Sequence, residues 1–142
     1  MNKIEFTVPG NPQALKRHRA VKRGRFIATY DPSAGDKQDF LAKAMEYRPE
    51  SPLSEPLKVS LQFTFARPKS HYGTGRKADT LKESAPQFHT SKPDCDNLAK
   101  FVLDALNGVY WRDDSIISQM AVVKLYGDNP SVRVLIEGLS ND

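Results

Sequence analysis

The chain has 142 residues, of which 39% are hydrophobic and 27% are charged, and its 21 Lys and Arg residues outnumber its 17 Asp and Glu residues. This composition excludes a wholly disordered chain, and the length predicts one domain over residues 1–142. No apolar run approaches the length of a membrane span and the N-terminus lacks a signal-peptide core, so we expect a cytoplasmic protein without membrane contact. The single cysteine, Cys95, cannot form an internal disulfide, which agrees with a reducing compartment.

The positive charge is concentrated near the N-terminus. Residues 1–30 contain seven Lys or Arg residues and one acid, Glu5, for a net charge of +6, whereas the remaining 112 residues carry a net charge of −2. Such a patch is typical of a protein that binds a partner with many phosphates, the alternative being a solvated surface with no partner. Its densest part contains Lys16, Arg17, Arg19, Lys22, Arg23 and Arg25.

The first predicted elements are a strand, a basic hairpin and a helix. Residues 3–8 alternate between polar and apolar, and Pro-Gly at 9–10 ends this strand. Residues 22–25 (Lys-Arg-Gly-Arg) predict the tip of a hairpin between two short extended runs. Asp-Pro-Ser at 31–33 indicates a helix start, with the helix covering about 34–47.

A strand and a long loop follow. Residues 57–65 alternate cleanly and give the strongest strand signal in the chain. Residues 67–92 have no sustained period and are rich in Gly, Pro, Ser, Thr and Lys; structureless loops of this length are often functional or mobile. The loop extends the basic surface through Arg67, Lys69, His71, Arg76, Lys77 and Lys82.

The last elements complete an α+β pattern. Residues 95–107 predict a helix, and residues 117–126 and 131–137 predict a pair of strands joined by a turn at 127–130. We therefore predict a single α+β domain with a mostly antiparallel or mixed sheet of about four strands and two main helices.

The helix predicted at 95–107 is the most informative segment. Its apolar residues recur at i, i+3, i+4, i+7 and i+8 from Leu98 and form one stripe facing the core. Asp96, Lys100 and Asp104 recur at i, i+4 and i+8 on the opposite face. The spacing therefore aligns two carboxylates and one ammonium away from the packed side.

Further acids flank this helix: Asp94 precedes it, and Asp113 and Asp114 follow it. Carboxylates gathered at one place repel each other unless a cation joins them, and Mg²⁺ prefers carboxylate oxygens together with water or phosphate oxygens. In a basic protein this pattern suggests a divalent metal acting on a polyanion. Structural interpretations stay open, because such residues also serve as helix caps, exposed ion pairs or turn residues.

The acidic helix and its flanks resemble a known family. Residues 92–114 read Lys-Pro-Asp-Cys-Asp-Asn-Leu-Ala-Lys-Phe-Val-Leu-Asp-Ala-Leu-Asn-Gly-Val-Tyr-Trp-Arg-Asp-Asp. This run resembles the signature of the RusA family of Holliday junction resolvases, which are endodeoxyribonucleases found in phages and prophages. The similarity is strongest over residues 88–125 and extends over the rest of the chain, which implies a RusA-like fold.

The resemblance implies roles for individual residues. Asp94 and Asp96 match the paired catalytic carboxylates, Asp114 matches the third, and Lys100 matches the essential lysine. The implied cofactor is Mg²⁺, with Mn²⁺ as an alternative, bound by Asp94, Asp96 and Asp114 with Asp113 beside them. Which of Asp113 and Asp114 is the third ligand stays open.

The resemblance also implies a function. We expect a homodimeric, metal-dependent enzyme that resolves four-way DNA junctions by paired symmetric nicks in recombination and repair. The alternatives are a branched-DNA-binding protein that does not cut and a nuclease acting on other branched DNA. The residues expected to contact DNA phosphates are Lys16, Arg17, Arg19, Lys22, Arg23, Arg25, Arg67, Lys69, Arg76 and Lys77.

Four aromatic residues have two possible uses. Phe26, Tyr30, Tyr110 and Trp111 are able to stack on unpaired bases at the crossover or to pack in the core. Packing is the favoured interpretation, because it is the commoner use of such side chains.

Overall fold

The fold is built on a four-stranded mixed sheet whose order is β1-β6-β4-β5, with a separate two-stranded sheet formed by β2 and β3. The structure, a computed structural model, describes residues 3–140. The strands are β1 (Lys3–Pro9), β2 (Arg19–Arg23), β3 (Phe26–Tyr30), β4 (Leu57–Ala66), β5 (Ile117–Gly127) and β6 (Ser131–Gly138), and the helices are α1 (Ala34–Ala44) and α2 (Cys95–Leu106). The predicted α+β class, with a mixed sheet of four strands and two main helices, is confirmed.

The strand β4 occupies the centre of the sheet. It runs antiparallel to β6, with Leu61 opposite Val134, and parallel to β5, with Leu61 opposite Val122. The last two strands are joined by the predicted turn at 127–130, but β4 lies between them, so they are not hydrogen-bonded neighbours. The difference agrees with burial: β4 alternates buried and half-buried residues along most of its length, whereas no residue of β5 is buried, as suits an edge strand.

The core lies between one face of the sheet and the two helices. The apolar stripe predicted for α2 is confirmed, because Leu98, Phe101, Val102, Ala105 and Leu106 are all buried. These residues pack with the alternate buried side chains of β1, β4 and β6 and with α1. The packed stripe fixes which face of α2 is left for solvent.

Of the four aromatic residues considered for core packing or base stacking, two are buried and two are exposed. Tyr110 and Trp111 have no exposed surface, so packing is confirmed for both. The hydroxyl of Tyr110 donates to the carbonyl of Ala44, and burial raises the pKa of Tyr110 to about 12, so this donor keeps its proton at neutral pH. Phe26 is 77% exposed and Tyr30 is 45% exposed, so packing in the core is wrong for these two.

The long loop is more ordered than its composition suggests. Tyr72 and Leu81 form an isolated antiparallel β-bridge inside the loop, and Phe88 forms another with Leu125 of β5. The amide of His89 donates to the carbonyl of Lys124 over 3.1 Å, so the end of the loop extends the edge of the sheet. No helix within residues 3–140 is both long and apolar enough to cross a bilayer.

Candidate active site

The first acidic residue of the predicted site lies at the start of α2 with its carboxylate unused by the helix. Asp94 is the N-cap residue, with an extended backbone (φ −76°, ψ 155°), and its carbonyl accepts the amide of Leu98 at 3.1 Å. Its side chain accepts no capping hydrogen bond, although an aspartate in this position usually does. Asp94 and Asp96 are both exposed, so two carboxylates are available at this end of the helix.

A lysine on β5 holds the backbone that leads into Asp94. The Nζ atom of Lys124 donates to the carbonyl of Ser91 at 2.7 Å and to the carbonyl of Pro93 at 2.8 Å. These two bonds tie the residues before α2 to the sheet. Sequence reasoning missed Lys124; the available signal was one lysine in the otherwise apolar run Val-Val-Lys-Leu-Tyr of a strand.

A buried histidine, His89, packs beside Lys124. His89 is 8% exposed and stacks on Phe65 with ring centroids 3.9 Å apart. Burial, and then the charge of Lys124, lower the pKa of His89 below its usual value of 6.5. The ring is therefore uncharged at neutral pH and acts as a packing group beside Lys124.

The basic segment begins next to the same helix start. The amide of Leu15 donates to the carbonyl of Asn97 in the first turn of α2 at 3.1 Å. The amide of Lys16 donates to the buried hydroxyl of Ser33 at 2.9 Å. We call the β2–β3 sheet the basic ribbon (residues 19–30). The segment that leads into this ribbon is therefore anchored to the first turn of α2, which follows Asp94 and contains Asp96.

The charges of this region are available to a ligand. The ion pairs found among residues 3–140 join Lys37 to Asp31 and Asp104, and Arg133 to Glu5. None of these pairs uses a basic residue of the segment 16–25. The exposed basic residues there are Lys16, Arg17, Arg19, Lys22, Arg23 and Arg25.

The basic residues of the long loop differ among themselves. Lys69, Arg76 and Lys77 are exposed. Arg67 is half-buried: its Nη1 atom donates to the carbonyl of Pro86 at 2.8 Å, and its guanidinium carbon lies 5.6 Å from the ring centroid of Tyr126. The contacts of Arg67 are therefore structural, and its predicted DNA contact stays a prediction.

The two acids that follow α2, Asp113 and Asp114, differ in their hydrogen bonds. Asp113 precedes the 3-10 turn Asp114–Ile116, and its carboxylate accepts the amide of Ser115 at 3.1 Å. Hydrogen bonding from Ser115 lowers the pKa of Asp113. Both acids are exposed, but the carboxylate of Asp113 serves the turn, so Asp114 is the better candidate for a ligand.

The two acidic groups lie at opposite ends of α2. This helix has 12 residues and is therefore about 18 Å long. The start of α2 lies beside Lys124, near the far end of β5. Asp114 follows the end of α2 and leads into Ile117, the first residue of β5. Ile117 and Lys124 are about 23 Å apart along that strand. No group of three or more His, Cys, Asp or Glu within the described chain is placed to hold a metal ion. The predicted sharing of one ion by Asp94, Asp96 and Asp114 stays a prediction.

The remaining polar residues of α2 differ in their surroundings. Lys100 is exposed one turn after Asp96, on the same side of the helix. Asp104 is half-buried, and its Oδ2 atom lies 3.9 Å from Nζ of Lys37 on α1. Asp104 thus belongs to the packing of the two helices, and Lys100 is the cation that stays beside the acidic helix start.

Comparison with known families decides the identity of this arrangement. Residues 9–137 match the family described as Endodeoxyribonuclease RusA. The chain belongs to the RusA family. A relative of this RusA-family protein, the Uncharacterized protein YqaN of Bacillus subtilis (strain 168), is 33% identical over 142 residues, which cover 99% of each chain.

Lys124 gives a prediction for this RusA-family protein. The change Lys124→Met removes both hydrogen bonds that hold the residues before Asp94. We expect the rate of DNA cleavage to fall on the order of 10- to 100-fold, because small displacements of a reacting group are costly, while DNA affinity stays unchanged. Single-turnover cleavage and a binding titration measure the two effects.

The matched control is Lys58→Met. Lys58 is a half-buried lysine on β4, near the opposite end of the sheet from Lys124. Equal cleavage rates for the two variants, both folded by circular dichroism, would show that Lys124 does not position Asp94.

Proposed function

We propose that this protein is a metal-dependent crossover junction endodeoxyribonuclease, which hydrolyses phosphodiester bonds of four-way DNA junctions by paired symmetric nicks in recombination and repair. One observation carries the proposal: the carboxylate of Asp94, which makes no capping bond, stands at the helix start that anchors the segment leading into the basic ribbon, whose cations join none of the ion pairs found among residues 3–140. Membership of the RusA family supports the same reading.

The residues at the start of α2 fit a divalent cation. Mg²⁺ is usually bound by one or two carboxylates, and water and phosphate oxygens complete its shell. Asp94 and Asp96 supply two exposed carboxylates, and Mn²⁺ has the same preference for oxygen ligands. The chemistry that such an ion supplies is Lewis-acid stabilisation of the phosphate and activation of water.

The chain's own cations complete this half of the site. Lys100, one turn from Asp96, is placed to neutralise negative charge that develops on the phosphate during attack. Lys124 holds the backbone that carries Asp94. The ribbon cations bind phosphates of the DNA arms, so binding should weaken steeply as salt is added.

We assign the third carboxylate of each site to a second copy of the chain. In a two-fold symmetric dimer every contact between different residues occurs twice. Two copies with their α2 helices antiparallel would bring Asp114 of each beside Asp94 of the other. A four-way junction also has approximate two-fold symmetry, so such a homodimer presents one site to each of two opposing strands.

A cleavage assay on a synthetic junction tests the proposal. Each of the four strands is labelled in turn, and the protein is added with Mg²⁺ or with EDTA. We expect nicks at matched positions in two opposing strands with Mg²⁺, no nicks with EDTA, and no cleavage of a linear duplex of the same sequence. Equal cutting of junction and linear duplex would contradict junction resolution.

The alternative functions give different outcomes in the same assay. The observation that would agree with a non-cleaving DNA-binding function is that no metal-binding group of three or more His, Cys, Asp or Glu is found in residues 3–140 of one chain. It predicts junction binding with no nick in either Mg²⁺ or Mn²⁺. Faster cutting of flaps or forks than of four-way junctions would indicate a nuclease for other branched DNA.

A further inference from the structure

The basic ribbon exposes apolar side chains that the core does not use. Phe26 is 77% exposed and Ile27 is 74% exposed, although both belong to β3. Strands β2 and β3 pair only with each other, and every residue of both is exposed. A large exposed apolar side chain on a projecting element is typical of a contact surface.

The strand register separates the ribbon into two unlike faces. Arg23 lies opposite Phe26, and Arg19 lies opposite Tyr30. Residues directly opposite in an antiparallel pair point to the same face, and the face alternates along each strand. Both arginine–aromatic pairs therefore share one face, whereas Ile27 lies on the other face opposite Lys22.

The tip of the ribbon is narrow and well defined. Gly24 and Arg25 form a two-residue turn, and Gly24 has a φ of +60°. A glycine at the first central position is the signature of the type II′ turn, which matches the twist of paired strands. Phe26 follows this turn directly, so its ring projects at the end of the ribbon.

The chemistry of the arginine–aromatic face fits nucleic acid bases. Aromatic rings stack on the flat faces of bases, and neighbouring arginines bind the phosphates between them. Residues 14–30 contain no acid, so the same ribbon of a second copy would be repelled. Unpaired DNA is therefore favoured over the ribbon of a second copy as the occupant.

We propose that the basic ribbon enters the branch point of the DNA and that Phe26 stacks on a base exposed there, an inference that rests on the proposed function. In a linear duplex both faces of each base are covered by neighbouring bases, and unstacking one costs free energy. At a branch point a base face is already open. Phe26 then favours branched over linear DNA.

Fluorescence of a base analogue tests this contact. A four-way junction carries 2-aminopurine at the branch point, and protein is added with EDTA so that no cleavage occurs. We expect binding to change the fluorescence, and Phe26→Ala to abolish the change and lower the preference for junction over linear duplex on the order of 10-fold. Phe26→Trp should restore both properties.

The matched control is Ile27→Ala, which removes an equally exposed side chain from the other face and should leave both properties unchanged. A fluorescence change and a preference that survive Phe26→Ala would overturn the proposal. A loss of dimers in Phe26→Ala, seen by sedimentation without DNA, would assign the ring to a second copy instead.

This experiment needs no cleavage, so the two proposals fail separately. A protein that never cuts but shows the Phe26-dependent signal would refute the nuclease assignment alone. A protein that cuts junctions without that signal would refute the stacking contact alone.

Discussion

The rate of four-way junction cleavage is expected to fall roughly 100-fold or more when Asp94 is replaced by Asn. Changing a residue that only hydrogen-bonds to a metal ligand already lowers activity about 10- to 100-fold, and Asp94 is a proposed ligand itself. Asn keeps the shape of the side chain and removes the negative charge that would hold a divalent cation. The helix should not suffer, since the side chain of Asp94 makes no capping bond and Asn is a favourable N-cap residue. Binding of the junction should stay intact.

Labelled junctions with Mg²⁺ measure the cleavage of Asp94→Asn, and a gel-shift titration with EDTA measures its binding. Asp128→Asn is the control, because Asp128 is an exposed acid in the turn between the last two strands. Cleavage by Asp94→Asn at the rate of the control would remove Asp94 from the mechanism.

Mixing two inactive variants is expected to restore cleavage if each site takes residues from two chains. In a mixed dimer of Asp94→Asn and Asp114→Asn, one site contains both substitutions and the other site contains none. Random exchange makes half of the dimers mixed, so about a quarter of all sites should be intact. Because each mixed dimer has one working site, junctions should be nicked in one strand and not resolved.

The control mixture combines Asp94→Asn with Asp96→Asn. Both residues lie at the same end of α2, so neither mixed site is complete and no activity should return. The readout is the rate of single nicks in junctions labelled on all four strands, compared with each variant alone. No recovery in the first mixture, with exchange verified by tagged subunits, would place the whole site within one chain.

The sequence predicted the helices and strands better than it predicted which of them lie next to each other. The stripe that begins at Leu98 and the alternation of residues 57–65 are local patterns, and burial confirms both. The place of β4 between the last two strands was not predicted, because it depends on how deeply each strand is buried relative to the others, a property of the whole sheet. The same limit applies to the contact of Leu15 with Asn97, which joins distant parts of the chain.

The candidate site shows the same division. The motif identified Asp94, Asp96 and Lys100 as chemically suitable residues, and the structure shows all three exposed on one helix. It did not predict that Asp114 lies at the far end of that helix. A helix of fixed length separates its two ends whatever side chains it carries, so similarity of sequence alone does not reveal how many chains a site requires.

The unused cap of Asp94 has a consequence for thermal tolerance. A helix start without a side-chain cap leaves amide groups to water and forgoes the stabilisation that a capping hydrogen bond from the side chain would supply. Under the proposed function, the same carboxylate is kept free to hold a metal ion instead of making that bond. Residue 94 would then be a position where helix stability and catalysis oppose each other.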